Sequence, residues 1–265
     1  MIPKVLSIAG SDPSGGAGIQ ADLKTFGALG CYGMAVITAL TAQNTREVSA
    51  VEVMSAEFVR QQLIAIFDDV AVHGVKIGMI ADAQIAEVVA DILEEFKPPN
   101  IVLDPVMVAT SGDSLIDKDA MGVLKARLIP LADVITPNIP EAEKLLRKAV
   151  LDIEDGARDL LLLGADAALL KGGHLSRDVM SNDVLAFDKG IEVFKAKRIL
   201  TSNTHGTGCT LSSAIVAHLA KEMDLKDAVQ ASKEYLTGAI QNADALGVGH
   251  GHGPVNHFWN VRKGC

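Results

Sequence analysis

The stretch Val5–Asp22 reads VLSIAGSDPSGGAGIQAD and indicates the fold of the chain. Its first five residues form a short, largely apolar run, which is typical of a buried β-strand. A glycine-rich turn at residues 11–18 follows, and after it apolar residues recur at helical spacing, at Ile19, Leu23, Phe26 and Leu29. A strand, a turn and a helix in this order predict the first unit of an α/β fold.

The alternation of strand and helix continues along the chain. Apolar runs at Met34–Leu40 and Ile101–Leu103 predict further strands, and the periodic stretch Ala83–Phe96 predicts a helix that Pro98 and Pro99 end. A glycine-containing turn inside Asn182–Arg198 predicts a β-hairpin. We therefore expect a three-layer α/β/α sandwich with a mostly parallel central sheet.

Length and composition fit one folded unit. The chain has 265 residues, of which 49% are hydrophobic, and this excludes an intrinsically disordered protein. No internal repeat or low-complexity linker divides it, and the one glycine-dense segment, Gly247–Gly253, lies near the C-terminus. We expect residues 1–265 to form a single domain.

The charge balance limits the partners. Lys and Arg number 24 against 33 Asp and Glu, so the net charge is −9. Such a chain lacks the basic field of a general nucleic-acid binder or of a protein held on anionic membranes. The longest apolar stretch, Met34–Ala42, is too short to span a bilayer. The three cysteines form no C-x-x-C pair, so a cytoplasmic protein is expected.

Glycines and polar residues gather where the predicted strands end. In parallel α/β sheets, ligands bind at the carboxyl ends of the strands, so these segments predict one ligand site. They are Gly10–Gly18, Thr41–Asn44, Gly78-Met79, Asp104–Met107, Thr136–Glu141, Lys171–His174 and Asn203–Cys209.

Two common nucleotide-binding patterns are excluded. Residues 16–21 match G-x-G-x-x-A, but the next strand ends in Thr41–Asn44 and not in the acidic residue that binds a ribose in a dinucleotide fold. No Gly-Lys-[Ser/Thr] occurs, so there is no Walker A loop either. For residues 16–21 alone, a purely structural turn remains the competing interpretation.

The segment Gly206-Thr207-Gly208-Cys209 predicts an anion site. Glycines let the backbone approach a ligand closely, and the helix that follows presents unpaired N–H groups and the positive end of its dipole. At a helix start, the pKa of the Cys209 thiol is expected to fall. The competing interpretation is a small buried cysteine beside a glycine-assisted turn.

Several segments, taken in order, resemble the ribokinase-like small-molecule kinases, and within them the pyrimidine kinases of thiamine biosynthesis. They are Ala9–Thr25, Thr38–Asn44, Lys76–Met79, Asp104–Met107, Thr136–Glu141, Lys171–His174, Thr204–Leu211 and Gly249–His257. The resemblance implies a ribokinase-like fold, the use of ATP with Mg²⁺, and a homodimer. It also implies phosphorylation of 4-amino-5-hydroxymethyl-2-methylpyrimidine and then of its monophosphate.

The resemblance implies roles at the phosphate end of the site. Cys209 stands where most ribokinase-like enzymes have an aspartate base, and it would take the proton of the substrate hydroxyl. The other residues are the anion-hole residues Gly206, Thr207 and Gly208, the phosphate-neutralising Lys171, the nucleotide-binding Asn138, and the metal-binding Asp104 and Glu141. Taken singly, the two carboxylates are equally typical of helix caps, and Lys171 of a solvated lysine.

The resemblance also implies a pyrimidine pocket. Gln43 and Asp22 would hydrogen-bond the donors and acceptors of the ring, and Gly10, Met79 and Val106 would form its walls. Asp22 alone is typical of an acidic residue in the first turn of a helix, and Gln43 alone of a polar strand end. The histidines of the Gly249–His257 segment could suggest a metal site, but the segment resembles a structural glycine element of the family.

Two other functions stay open at this point. A vitamin B6 kinase of the pyridoxal or pyridoxine type would also phosphorylate a six-membered nitrogen heterocycle that carries a hydroxymethyl group. A catalytically silent ligand-binding protein on the same fold is the third possibility. Loss of the anion-hole glycines or of Cys209 would mark such a protein, and the chain keeps both.

Overall fold

The computed structural model describes residues 1–107, 118–173 and 180–261 of the chain. Its strands are β1 (Lys4–Ser11), β2 (Tyr32–Gln43), β3 (Val48–Val53), β4 (Gly74–Ile77), β5 (Ile101–Leu103), β6 (Val134–Ile135), β7 (Ala167–Lys171), β8 (Asp183–Phe187) and β9 (Gly190–Phe194). Its α-helices are α1 (Gly18–Ala28), α2 (Ala56–Phe67), α3 (Ala83–Phe96), α4 (Lys118–Val123), α5 (Ile139–Leu146), α6 (Ile153–Leu161), α7 (Thr207–Leu219) and α8 (Leu225–Gln241).

The strands form one sheet in the order β3-β2-β1-β4-β5-β6-β7-β8-β9. Neighbouring strands from β2 to β7 in this order run parallel to each other. Strand β3 at one edge and strands β8 and β9 at the other are antiparallel to their neighbours. The predicted mostly parallel sheet and the predicted hairpin are therefore confirmed.

Helices cover both faces of the sheet because both faces are apolar. On one face, Phe26 of α1, Ile215 of α7 and Val229 of α8 pack in one core. On the other, residues of α2 to α6 pack in a second core with strands that include β1, β2, β4, β7 and β8. This arrangement confirms the predicted three-layer α/β/α sandwich. Among the residues that the structure describes, no helix is both long enough and apolar enough to cross a membrane.

Helix α3 shows why some element boundaries can be predicted. The Asp82 carboxylate accepts hydrogen bonds from the backbone N–H groups of Gln84 and Ile85, which satisfies donors at the helix start. Lys97 takes the left-handed conformation with φ of 47°, and this ends the helix before the two prolines. The predicted bounds of Ala83–Phe96 are confirmed.

Two other regions differ from the prediction. Strand β3 was not predicted, because its side chains are almost all exposed and no buried apolar run marks it. Helix α7 begins at Thr207, inside the segment Gly206–Cys209 that was expected to precede it, and Gly206 is its N-cap, in the left-handed conformation with φ of 79°. This earlier start brings Thr207 and Gly208 into the first turn of the helix.

Candidate active site

A cavity of about 630 Å³ lies at the carboxyl ends of the parallel strands. It gathers all but one of the predicted site residues. Those that line it are Gly10, Gln43, Met79, Asp104, Val106, Asn138, Glu141, Lys171, Gly206, Thr207, Gly208 and Cys209. The exception is Asp22, which is fully buried and does not line the cavity.

Two glycine-rich turns meet at one side of the cavity. A β-carbon on Gly206 would lie 1.8 Å from the carbonyl oxygen of Gly16, so the two backbones are in direct contact. A β-carbon on Gly18 would lie 2.3 Å from the carbonyl oxygen of Gly10. Only glycine fits such close approaches. The start of α7 is thereby fixed against the turn between β1 and α1, although the two are far apart in the chain.

Asp12 organises the first of these turns. Its Oδ2 accepts hydrogen bonds from the backbone N–H groups of Gly16 and Ala17, at 3.1 and 2.8 Å, and Oδ1 accepts from Ser14 N–H. His205 Nε2 lies 2.8 Å from the same Oδ2, which links this turn to the one that precedes α7. Burial alone would raise the Asp12 pKa, but the hydrogen bonds from His205 and Ser14 outweigh it and hold that pKa below its usual value.

Lys171 and Asp104 form an ion pair beside the start of α7. The Lys171 Nζ atom lies 2.9 Å from Asp104 Oδ1, which also accepts a hydrogen bond from Thr136 Oγ1. A β-carbon on Gly208 would be 3.4 Å from Lys171 Nζ and from Asp104 Oδ2, so this glycine lets the pair approach the helix. Burial favours neutral lysine, but Asp104 and Glu141 outweigh it and raise the Lys171 pKa. Lys171 is thus a fixed positive charge at the predicted anion site.

Glu141 lies at the start of α5, in a capping box with Asn138. Asn138 N–H donates to Glu141 Oε2 at 2.8 Å, and Glu141 N–H donates to Asn138 Oδ1 at 2.9 Å. The glutamate is buried, and burial raises its pKa while the Lys171 charge opposes that rise. Asn138 therefore orients Glu141. Both residues also stabilise the start of α5, so each has a structural role.

The donor set fits a divalent cation that is shared with phosphates. Asp104 and Glu141 are hard oxygen donors on one cavity wall, and each carboxylate oxygen has two lone pairs. Within the described residues, no cluster of three His, Cys, Asp or Glu side chains could hold a metal alone. One or two carboxylates together with substrate phosphates is the usual arrangement for Mg²⁺. These two residues could hold it.

The structure corrects the expected pKa of Cys209. The helix start was expected to lower it, but burial raises the pKa of the thiol to about 11. The positive charge of Lys76 opposes this rise, whereas the negative charges of Asp22 and Asp104 add to it. Desolvation of the thiolate is the largest of the effects on this pKa. Burial of the thiol therefore opposes formation of the thiolate.

The structure also corrects the predicted role of Asp22. Its Oδ2 accepts hydrogen bonds from Ser7 Oγ at 2.6 Å and Lys76 Nζ at 2.9 Å, and its Oδ1 accepts from Ser213 Oγ at 2.7 Å. The carboxylate is enclosed by protein groups and holds Lys76, so the prediction that it hydrogen-bonds the pyrimidine is wrong. Lys76 lines the cavity in its place.

The opposite part of the wall is suited to a flat heterocycle. A β-carbon on Gly10 would lie 3.0 Å from Met79 Sδ, so the absence of a side chain there keeps space beside the methionine. Gln43 Oε1 accepts a hydrogen bond from Thr41 Oγ1 at 3.2 Å, and Gln43 Nε2 is 3.4 Å from His205 Nε2. Gln43 thus presents an amide at the end of β2.

Several cavity residues were missed by the sequence analysis. Lys76 could have been found from the sequence, because it is the one charged residue of β4 and a lysine within a buried strand needs a partner. His205 lay inside a segment that was singled out, but without a role. Lys233 of α8, paired with Asp183 of β8 at 2.5 Å, gave no signal, because an isolated lysine in a helix is usually solvated.

The C-terminal histidines that could have suggested a metal contact protein groups. His257 Nε2 lies 3.1 Å from Thr210 Oγ1, and His252 Nδ1 lies 3.1 Å from the Ser202 carbonyl oxygen. The segment itself packs on the turn after β2, where His252 N–H donates to the Thr45 carbonyl oxygen at 2.8 Å. His174 and Cys265, which the sequence analysis also covered, lie outside the described residues.

Comparison with known proteins places this site in a family. A family model described as phosphomethylpyrimidine kinase matches residues 12–256. Of the predicted site residues, Gly10 alone lies outside this range. The chain belongs to the phosphomethylpyrimidine kinase family. The match reaches from the Asp12 turn to the segment that precedes His257, so it covers both glycine-rich turns.

Relatives of this phosphomethylpyrimidine kinase family member match nearly the whole length of its chain. The hydroxymethylpyrimidine/phosphomethylpyrimidine kinase of Escherichia coli (strain K12) is 50% identical over 257 residues, 96% of each chain. The thiamine biosynthesis bifunctional protein ThiED of Geobacter sulfurreducens is 51% identical over 257 residues, which are 96% of this chain and 52% of that protein.

A solved structure supports the fold of the family member. An ADP complex of Bacillus subtilis pyridoxal kinase has a TM-score of 0.91 at 36% sequence identity, and the match covers 100% of both chains. This likeness confirms the predicted ribokinase-like fold. It also shows that the family's architecture is shared with a kinase that is named for another heterocycle.

Proposed function

We propose that the chain transfers the γ-phosphoryl group of ATP to 4-amino-5-hydroxymethyl-2-methylpyrimidine, and then phosphorylates the monophosphate to the diphosphate, in thiamine biosynthesis. One observation carries the proposal: a single cavity joins the glycine turn before α7, the Lys171–Asp104 pair and a heterocycle-sized wall at Gln43. Phosphoryl transfer needs an acceptor hydroxyl and γ-phosphate positioned together, with positive charge around the phosphoryl group.

The transfer step uses groups at the start of α7. The oxygen of the substrate hydroxymethyl group attacks the γ-phosphorus, a new O–P bond forms, and the bond to the bridging oxygen of ADP breaks. The N–H groups of Gly206–Cys209 and the Lys171 ammonium stabilise the charge on the phosphoryl oxygens. The proton of the hydroxyl goes to the sulfur of Cys209 in its thiolate form.

A metal ion fits the same place. When bound, Mg²⁺ neutralises charge on the nucleotide phosphates and orients them. Asp104 and Glu141 would hold it, directly or through water, because both carboxylates line the cavity next to Lys171. Asn138 orients Glu141 through the capping box, and Thr136 orients Asp104 through its hydroxyl.

The remaining end of the cavity suits a nucleoside. Leu236, Thr237 and Ile240 of α8 line it together with residues 196–199. Lys233 closes this end, since its Nζ donates to Asp183 Oδ2 at 2.5 Å and to the Ser181 carbonyl oxygen at 2.7 Å. An apolar helix face with a few fixed polar groups is typical of sites that bind a base and ribose.

Product analysis tests the proposal. The chain is incubated with Mg-ATP and the hydroxymethylpyrimidine, and the mono- and diphosphate are separated by ion-exchange chromatography over time. We expect the monophosphate to form first and then to be consumed, with one ADP released for each phosphate transferred. A Cys209→Ala, Lys171→Met double variant is the matched control. Tight binding of the pyrimidine without ADP release would instead indicate the silent ligand-binding protein.

A vitamin B6 kinase is the second candidate. The observation that favours it is the likeness over the whole chain to a pyridoxal kinase. The same wall of Gly10, Met79 and Val106 would accept another hydroxymethyl heterocycle. Values of kcat/KM for the pyrimidine and for pyridoxal, measured with one enzyme preparation, decide between the two. We expect the pyrimidine to be the better substrate.

We further propose that the protein works as a cytoplasmic homodimer. Strand β3 forms an edge of the sheet, and apolar side chains near it are exposed, among them Leu40, Val51, Val53 and Phe58. An exposed edge with apolar residues is a typical site of association. Light scattering after size-exclusion chromatography should give twice the chain mass, and Val51→Asp with Val53→Asp should give the monomer.

A further inference from the structure

Lys76 is an unusual residue for the strand that carries it. It lies in β4 between apolar residues, and its side chain is 0% exposed. The Asp22 carboxylate, 2.9 Å away, is likewise 0% exposed. Removing two charges from water is costly, and apolar residues of similar size would often be at least as stable there. A buried pair of this kind beside a cavity suggests a chemical role.

The ammonium group retains hydrogen-bonding capacity toward the cavity. Of its three N–H donors, one is used by Asp22, and no second acceptor among the described residues lies within hydrogen-bond distance. Lys76 itself lines the cavity. A β-carbon on Gly78 would lie 2.7 Å from Lys76 Nζ, so this glycine keeps the space next to the ammonium group free.

The neighbour that can use this charge is Cys209. It lines the same cavity, and four charged groups act on or near its sulfur: Lys76, Lys171, Asp22 and Asp104. Among the described residues, Lys76 and Lys171 each donate one hydrogen bond, to Asp22 and to Asp104, so both ammonium groups retain donors. Because the proposed function assigns Lys171 to the phosphoryl oxygens, Lys76 is the cation left for a charge on the sulfur.

We propose that Lys76 is a positioning residue that acts through Cys209: its ammonium group stabilises the thiolate, and Asp22 holds the ammonium group in place. This inference rests on the proposed function, in which the thiolate takes the proton of the substrate hydroxyl. The thiol first releases its proton to solvent, and the sulfur then accepts the hydroxyl proton as the new O–P bond forms. Lys76 keeps its own protons throughout.

Two substitutions distinguish this role from a structural one. Lys76→Met removes the positive charge, so the thiolate becomes rarer. Asp22→Asn removes the negative charge while the amide oxygen can still hold the lysine, so the thiolate becomes more common. Each change disturbs the same buried pair and lowers stability. The thiol reactivity is nevertheless expected to move in opposite directions, which a loss of packing does not explain.

The readout is alkylation of Cys209 by iodoacetamide, measured by mass spectrometry of the peptide that contains it, at several pH values. Only the thiolate reacts, so the rate reports the thiolate population. We expect Lys76→Met to react about tenfold more slowly than the unmodified chain below the thiol pKa, and Asp22→Asn to react faster. Cys209→Ser, which lacks the thiol, gives the background of the peptide measurement.

A double variant protects the test against misfolding. If Lys76→Met alone does not fold, Asp22→Asn is compared with the Lys76→Met, Asp22→Asn protein, which has no unpaired buried charge. The double variant should then react more slowly than Asp22→Asn. Equal alkylation rates within either comparison, or a shift in the same direction for both single variants, would overturn the proposal.

Alkylation also separates this inference from the proposed function. If the pyrimidine is not phosphorylated but the two single variants still shift alkylation in opposite directions, the proposed function fails and the Lys76 inference holds. If the pyrimidine is phosphorylated normally and Lys76→Met alkylates like the unmodified chain, only the Lys76 inference fails. In the enzyme, Lys76→Met should lower kcat in parallel with alkylation and leave the KM for Mg-ATP unchanged.

Discussion

Gly206 and Gly16 touch through their backbones, since a β-carbon on Gly206 would lie 1.8 Å from the carbonyl oxygen of Gly16. This contact joins the turn that is proposed to bind the transferring phosphoryl group to the turn that follows the first strand. It also places Gly206 in the left-handed conformation that caps α7. The anion site therefore depends on two glycines that act together, and this dependence can be tested.

Gly206→Ala is expected to lose most of the activity. The methyl group would clash with Gly16, and the left-handed backbone costs about 1–2 kcal/mol for a residue with a side chain. The turn must shift, so kcat/KM should fall by about 100-fold or more in the coupled assay for ADP. Gly27→Ala is the control, because a β-carbon there meets no atom within 4 Å. If both variants kept normal kcat/KM, the contact would have no part in catalysis.

Lys171→Met tests the fixed charge at the anion site. Loss of the ammonium group should lower kcat by about 10²–10³-fold, because charge on the phosphoryl oxygens is no longer neutralised. Lys171→Arg keeps the charge and should lose less. The exposed Lys189, in the turn of the hairpin, is the control, and Lys189→Met should behave like the unmodified chain. An unchanged kcat in Lys171→Met would exclude this role.

Gln43→Ala tests the heterocycle pocket. A lost hydrogen bond to a ring is worth about 1–3 kcal/mol, so KM for the pyrimidine should rise by about 5- to 150-fold. The KM for Mg-ATP should stay unchanged, because the proposed nucleoside end of the cavity is lined by α8 and not by Gln43. Gln61→Ala, an exposed change on α2, serves as the control. An equal rise in both KM values would contradict the assignment of Gln43.

His257 should make stability depend on pH. Burial lowers its pKa to about 4, so the unfolded chain binds a proton more readily than the folded chain between about pH 6.5 and pH 4. Stability contributed by the neutral ring is complete above pH 6.5 and is lost as the pH falls through that window. The loss is up to about 3 kcal/mol, measured by urea unfolding.

The matched variants isolate this effect. His257→Gln carries no titrating group and should lose less stability than the unmodified chain when the pH falls from about 7 to about 4. His252→Gln changes an exposed histidine and should retain the full loss. The buried ring also donates toward Thr210, whose hydroxyl donates to the Gly206 carbonyl oxygen at 2.8 Å, so the variant should lower activity modestly.

The architecture could be predicted from the sequence where burial and periodicity agree. Helix α3 has an acidic cap, an apolar face and prolines beyond its end, and its bounds were predicted correctly. Strand β3 has none of these signals, because an edge strand held by its backbone needs no buried run. The site segments lie on strand ends, which explains why twelve of the thirteen predicted residues reached one cavity.

The structure corrects two predictions, the role of Asp22 and the pKa of Cys209. The first depends on the direction of a side chain, and the second depends on how deeply a side chain is buried. Asp22 belongs to the first turns of α1, and the sequence does not indicate that this face turns inward to Lys76 rather than toward a ligand. The thiol of Cys209 is at a helix start as predicted, but burial decides its pKa, and burial depends on groups that are remote in sequence. Neither quantity is encoded locally.

The contact between Asp12 and His205 bridges 193 positions of the chain. During translation, strand β1 can pair with β2 and β4 as soon as these leave the ribosome, but the first glycine turn must wait for nearly all later elements before its partner emerges. Because β9 ends at Phe194, all the strands of the sheet precede His205 in the chain, and the Asp12 turn gains this partner only after they have emerged.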